Sequence, residues 1–247
     1  MQTISINFQV PQGWHELGDK QLRYVYQLLA SDFSADEIKT LCLLQWSDTK
    51  VIGKQPSGAY LLRKGKSLFE ATPLTIAELL PALDWLASLP NVPVRMSKIN
   101  RREALTADFS EVPFETFIIC DNLYQGYLAT QDDELLDQLG ATLYGKEIPF
   151  KPYERINIFY WFASLKEWLG KQYSDFFQPM EAATGGNLLR APSMNVEAAM
   201  NAQIRALTKG DITKEAEVLA LDTHRALTEL NAQAREYKEL NAKLQSK

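Results

Sequence analysis

Apolar and polar side chains alternate over residues 3–10, with Ile4, Ile6, Phe8 and Val10 on one side and Ser5, Asn7 and Gln9 on the other. That period predicts a half-buried strand, closed by the turn chemistry of Pro11-Gln12-Gly13. The period then lengthens. Leu22, Val25, Tyr26 and Leu29 fall at helical spacing and predict a helix over residues 19–30, with Trp14 and Leu17 expected to be buried beneath it. Ser34 and Glu37 form a capping box for a second helix carrying Ile38, Leu41, Cys42, Leu44 and Gln45. Gln55-Pro56-Ser57-Gly58 is a turn. After it, residues 59–63 and 67–71 flank Lys64-Gly65-Lys66 as a short hairpin, which with the first strand makes a small sheet. A further helix is expected over residues 75–89, opened by a box of Thr75 with Glu78, with Pro81 either kinking it or marking its true start.

Residues 91–111 are less periodic, and from Pro113 onward helical signals dominate. One helix is expected to residue 130, a second over 132–144, and a long aromatic one over 153–177. Ile156, Phe159, Tyr160, Phe162, Leu165 and Trp168 make that last helix apolar nearly all round, as a core helix is. Residues 178–195 contain Pro179, Gly185-Gly186 and Pro192 and read as a linker. Two helical stretches follow, 196–209 and 213–245, separated by Gly210-Asp211. The second carries a three-four seam of Ala216, Ala220, Thr223, Leu227, Leu230, Ala234, Tyr237, Asn241 and Leu244. A seam this narrow cannot bury itself, so it needs either the rest of the chain or another protein.

The expected architecture is therefore mainly α (α+β): a small antiparallel β element packed on a helical body over 1–177, a linker over 178–195, and a C-terminal helical arm over 196–247. Composition agrees with a globular chain. Of its 247 residues 46% are hydrophobic and 23% charged. The net charge of −5 argues against general affinity for nucleic acid or anionic membrane surfaces. Two cysteines in helical runs are not a disulfide framework. The N-terminus has no basic segment leading into an apolar core, and the most apolar stretch, residues 156–169, is broken by Lys166 and Glu167. The expected location is the cytoplasm.

The search for chemistry returns absences. His15 and His224 stand far apart, each without a metal-ligand neighbour of the usual His or Cys type at i+3 or i+4, and no phosphate loop or nucleophile motif occurs. No catalytic, cofactor-binding or metal-binding residue is assigned. Asp36-Glu37 and Asp132-Asp133-Glu134 sit at helix starts, where carboxylates complement the dipole. Arg95, Lys98, Arg101 and Arg102 read as a solvated or salt-bridging edge, and Phe159-Tyr160-Trp161-Phe162 as core. The partner-binding candidates are Ala216, Ala220, Leu227, Leu230, Ala234 and Tyr237.

Three segments resemble one group of proteins. Pro11-Gln12-Gly13-Trp14-His15-Glu16-Leu17 with Gln21-Leu22 resembles their opening. Phe114-Glu115-Thr116-Phe117, Asp121 and Tyr127-Leu128-Ala129-Thr130, followed by Leu135-Leu136 and Leu143-Tyr144, resemble their middle. Residues 201–211 and 225–232 resemble their C-terminal region. These are proteins of bacterial prophage gene clusters, placed among tail and head-tail genes. The resemblance implies no catalytic residue. It implies phage morphogenesis: a tail assembly chaperone acting on a tape-measure or other tail protein, or alternatively a minor structural protein that stays with the virion. A homo-oligomer is compatible with either. From other classes, the alternatives are an unfamiliar hydrolase using Cys120 or His224 and a nucleic-acid-binding regulator using residues 95–102.

Overall fold

The computed structural model describes residues 8–145, 149–177 and 196–245. It is mainly helical with a small three-stranded antiparallel sheet and a C-terminal helix, the α+β class expected. Its contacts divide the chain into two units. One comprises Met1–Pro90, Val94–Met96 and Lys151–Tyr160, the other Asn91–Pro93, Ser97–Phe150 and Trp161–Lys247.

In the first unit the chain enters through a single 3-10 turn, Trp14–Glu16, into helix α1, Asp19–Leu29. Leu22, Val25, Tyr26 and Leu28 form its buried stripe. Trp14 and Leu17 are buried as expected, at 4% and 8% exposure. The Trp14 ring stacks on Tyr26, and its Nε1–H donates to the carbonyls of Trp85 and Ser88 at 3.2 and 2.9 Å. Both needs of a buried indole, an apolar bed and a hydrogen-bond acceptor, are thus met. Helix α2, Ala35–Trp46, starts at the expected box: the Ser34 amide donates to Glu37 Oε2 at 2.8 Å and the Glu37 amide to Ser34 Oγ at 3.4 Å.

The sheet follows, β1 Thr49–Lys54, β2 Tyr60–Lys64 and β3 Ser67–Ala71, in that order and antiparallel. The hairpin of β2 and β3 is the expected one. Strand β1 was not expected from the sequence. Of the expected strand over 3–10, residues 3–7 lie outside the described residues, and Phe8, Gln9 and Val10 are not in a strand.

The helix expected over 75–89 is replaced by α3, Pro73–Ala77, and a 3-10 stretch, Leu80–Ala87. Thr72, not Thr75, is the cap: its Oγ1 accepts the Thr75 amide at 3.1 Å, and Pro73 occupies the first helical position, where a missing N–H costs nothing. Pro81 then prevents a continuous α-helix. The first turn of α6, Pro152–Gln172, supplies a buried relay in this unit. The Arg23 guanidinium donates to the Tyr153 hydroxyl at 3.1 Å, which donates to Glu154 Oε1 at 3.2 Å. Glu154 is only 1% exposed.

In the second unit the basic stretch is a hairpin, β4 Lys98–Ile99 and β5 Arg102–Glu103, with a Lys98–Glu103 ion pair at 2.8 Å. Its two turn residues, Asn100 and Arg101, have φ of 48° and 69°. Two left-handed residues suit a tight hairpin, but Arg at the second pays a Cβ clash that glycine avoids. Arg101→Gly is expected to raise stability by about 0.5 kcal/mol, the relieved clash less the glycine entropy. A urea unfolding series checks it.

Helices α4, Phe114–Thr130, and α5, Asp133–Tyr144, pair in sequence, and Asp132 caps α5 by accepting the Glu134 amide at 2.9 Å. From Trp161 on, α6 belongs to this unit, with Trp161, Phe162, Leu165 and Leu169 all at 0% exposure. A short helix α7, Ser174–Phe177, ends that segment. The expected linker over 178–195 lies outside the described residues. Residues 196–245 group by contact with this unit as α8, Val196–Thr208, α9, Glu215–Leu219, and α10, Thr223–Gln245.

Candidate functional site

The expected single helix over 213–245 is broken between α9 and α10, and the break is specified chemically. Asp222 Oδ1 accepts the Arg225 amide at 3.1 Å, capping α10, while its Oδ2 accepts the Glu111 amide at 2.7 Å. The Thr223 amide and hydroxyl both donate to the Val112 carbonyl, at 2.9 and 2.7 Å, and the Phe114 amide donates to the Leu221 carbonyl at 2.7 Å. The chain is thereby fastened to the loop before α4. That loop is strained to receive it. Phe109 and Glu111 have φ of 64° and 63°, unusual for residues with a Cβ. The first turn delivers the Phe109 ring, at 0% exposure, among Phe117, Trp161 and Phe162.

His224 is the next anchor. Its Nε2 lies 2.7 Å from the Asp108 carbonyl, which can only accept, so Nε2 carries the proton. Nδ1 then accepts from the Tyr173 hydroxyl at 2.8 Å, and Trp168 packs edge-on to the ring. One turn further, Ala226, Leu227 and Leu230 are buried at 0%, 0% and 4% exposure, and Asn231 Oδ1 accepts the Phe176 amide at 3.0 Å. Arg235 and Lys238 close the docked stretch on Asp175, at 3.0 and 3.2 Å. Those two hydrogen bonds, Arg235 first, hold the Asp175 carboxyl below its ordinary value of 3.8. With a lowered folded-state pKa, the contact is at full strength above the ordinary carboxylate range and is lost as pH falls through the lowered value. In a carboxyl NMR titration the Asp175 midpoint is expected to return to the ordinary range in an Arg235→Gln, Lys238→Gln variant.

Beyond this point the same helix is wet. Tyr237, Leu240 and Leu244, spaced i, i+3 and i+7 on one face, are 61%, 57% and 64% exposed. The six sequence-derived candidates are therefore not one surface. Ala216, on α9, and Ala220, just after it, are exposed; Leu227 and Leu230 are core; Ala234 is half-buried; Tyr237 opens the exposed stripe. Leu240 stands off the seam read from the sequence, though its spacing from Tyr237 and Leu244 was visible there.

The residues named for hydrolytic chemistry are otherwise engaged. Cys120 is fully buried, and burial, with Asp121 beside it, pushes its thiol up, away from the thiolate a nucleophile needs. Cys42 is pushed up by burial to about 12. Ser110, Asp108 and His224 are neighbours, but they are not wired as a triad. The Ser110 hydroxyl donates to Asp108 Oδ2 at 2.8 Å, and the imidazole bonds the main-chain carbonyl of Asp108. An open hollow of about 320 Å³ beside α2 is lined by Phe33, Asp36, Glu37, Thr40 and Leu41, and its Glu37 carboxylate is held by Ser34. Among the described residues no group of His, Cys, Asp and Glu gathers as a metal site, and no helix is long and apolar enough to cross a membrane. Compared with protein-family models, curated proteins and solved structures, the chain matches none.

Proposed function

We propose that this is a non-enzymatic interaction protein of phage tail assembly, a chaperone-like factor that holds another tail protein through the far half of α10. The observation that carries the reading is the change of environment along one helix. Up to Leu230 its apolar stripe is core, and from Tyr237 the stripe is continued in water. A helix anchored at one end and apolar at the other suits helix-in-groove or helix-pair recognition, in which anchors at i, i+3 and i+7 seat on a partner. The resemblance of residues 11–17, of 114–117 and 127–130, and of 201–211 and 225–232 to prophage proteins supplies the setting: the host cytoplasm, before a long tape-measure helix is enclosed by the tail tube.

The test is co-expression with the tape-measure protein of the same gene cluster. In the variant Tyr237→Glu, Leu240→Glu, Leu244→Glu the unfolding midpoint is expected to stay in place while co-purification is lost. Retention of the partner by that variant, or no binding by the unaltered chain, sinks the reading.

A further inference from the structure

Charge is unevenly placed in this chain. Over residues 49–71, the three strands and their turns, Lys50, Lys54, Arg63, Lys64 and Lys66 face a single carboxylate, Glu70, although the whole chain carries −5. The strand register decides which of them meet. Lys50 stands directly opposite Arg63, and Arg63 opposite Leu68, one row across all three strands. The row lies on the solvent face, with Lys50, Arg63 and Leu68 exposed; the other face carries the buried Thr49, Leu62 and Ala71. Like charges directly opposed on neighbouring strands destabilise a sheet. Neither Lys50 nor Arg63 joins any ion pair formed among the described residues. Glu70 stands two pairs along on the same face, opposite Leu61 and diagonal to Arg63.

Among the described residues strand β1 is also an edge, pairing only with β2, and every residue after Thr49 is exposed, Val51 at 51% and Ile52 at 47%. Lysines on an edge strand commonly guard it against indiscriminate pairing. That guard does not require a second cation on the central strand beside Lys50, nor wet apolar side chains at Val51, Ile52 and Leu68. We propose that the β1 edge receives an extended acidic segment of a partner protein by strand addition. A carboxylate on the solvent face of that segment stands beside Lys50, at the edge end of the Lys50–Arg63 row, and the residues flanking it in the segment are apolar and lie on the Val51 side. Main-chain hydrogen bonds give the pairing, and charge selects the partner. A nucleic acid fits less well. Base stacking needs aromatic faces beside the Lys50–Arg63 row, and Tyr60 and Phe69 lie on the Leu62 side of the sheet, away from it. The inference rests on the first unit alone and is independent of the reading of α10.

The experiment uses the full chain and a fluorescent decapeptide alternating glutamate and valine, followed by anisotropy. Binding at low salt that weakens as salt rises is expected. Lys50→Gln, Arg63→Gln should weaken it by about tenfold or more, since the charge-assisted contact of Lys50 and the positive field of Arg63 behind it both go. In that variant the thermal midpoint should hold or rise, because the repulsion is removed. A fully N-methylated peptide of the same sequence keeps every charge but has no amide donor, and should not bind. Equal binding of the methylated peptide, unchanged affinity in the variant, or a lowered midpoint each overturns the proposal. So does an oligothymidylate that binds through Lys50 and Arg63 more tightly than the peptide.

Discussion

Leu227→Ala is expected to lower the unfolding free energy by about 3 kcal/mol, while Leu240→Ala, between three and four helical turns further along α10, leaves it within about 0.5 kcal/mol. The two leucines share one helix and one sequence-level reading, and they differ in what surrounds them. Leu227 is fully buried, its neighbours Ala226 and Leu230 are 0% and 4% exposed, and the turn before it is tied down by Asp222, Thr223 and His224. Removing three of its side-chain carbons loses their transfer free energy and opens a cavity that a doubly anchored helix cannot collapse into. Leu240, at 57% exposure, loses little on truncation. Urea unfolding of both variants, with the slope checked against the unaltered chain, reads the contrast directly. Equal small losses would mean that α10 is a detachable arm along its whole length. The docked first half also bears on truncation. A chain ending near residue 195 sheds Ala226, Leu227 and Leu230 from the core and should lose the second unit's fold, whereas one ending after Lys238 should keep it.

Why the sequence showed the seam but not its division follows from what periodicity records. Spacing identifies which residues share a helix face; it does not say which neighbour covers that face. Leu227 and Tyr237 carry the same signal, and only the tertiary contacts of Tyr173, Asn231 and Asp175 separate them. The break at residues 220–222 is hidden for the same reason. Asp222 is an unremarked acid in sequence until the Glu111 amide, 111 residues away, is brought to it. Local chemistry was legible where it is local. The Ser34–Glu37 box, the Lys64-Gly65-Lys66 hairpin and the Asp132 cap need only their own few residues. The sequence points to Thr75 as the cap, but Pro73 decides for Thr72, because proline fits the first turn of a helix and cannot fit later. Strand β1 is hidden because Lys50, Gly53 and Lys54 dilute its apolar pattern, and a strand exposed at every residue after Thr49 needs little of one.

Trp14 carries the second large effect. Trp14→Ala is expected to cost about 4 kcal/mol, and Trp14→Phe about 1–2 kcal/mol, in the stability of the first unit. The ring lies against Tyr26, Trp85 and Tyr160 at centroid distances of 5.9, 5.4 and 5.5 Å, so its removal empties the centre of an aromatic cluster contributed by four separate stretches of chain. Phenylalanine refills most of that space but has no N–H. The carbonyls of Trp85 and Ser88 then lose a donor where the 3-10 stretch ends, at the point where the chain turns extended. The difference between the two variants therefore isolates the hydrogen bond from the packing. Guanidinium unfolding followed by near-ultraviolet circular dichroism, which reports the ordering of these rings, measures both. If alanine costs no more than phenylalanine, Trp14 is not the plug of this unit, and the segment that carries it is free to serve a ligand.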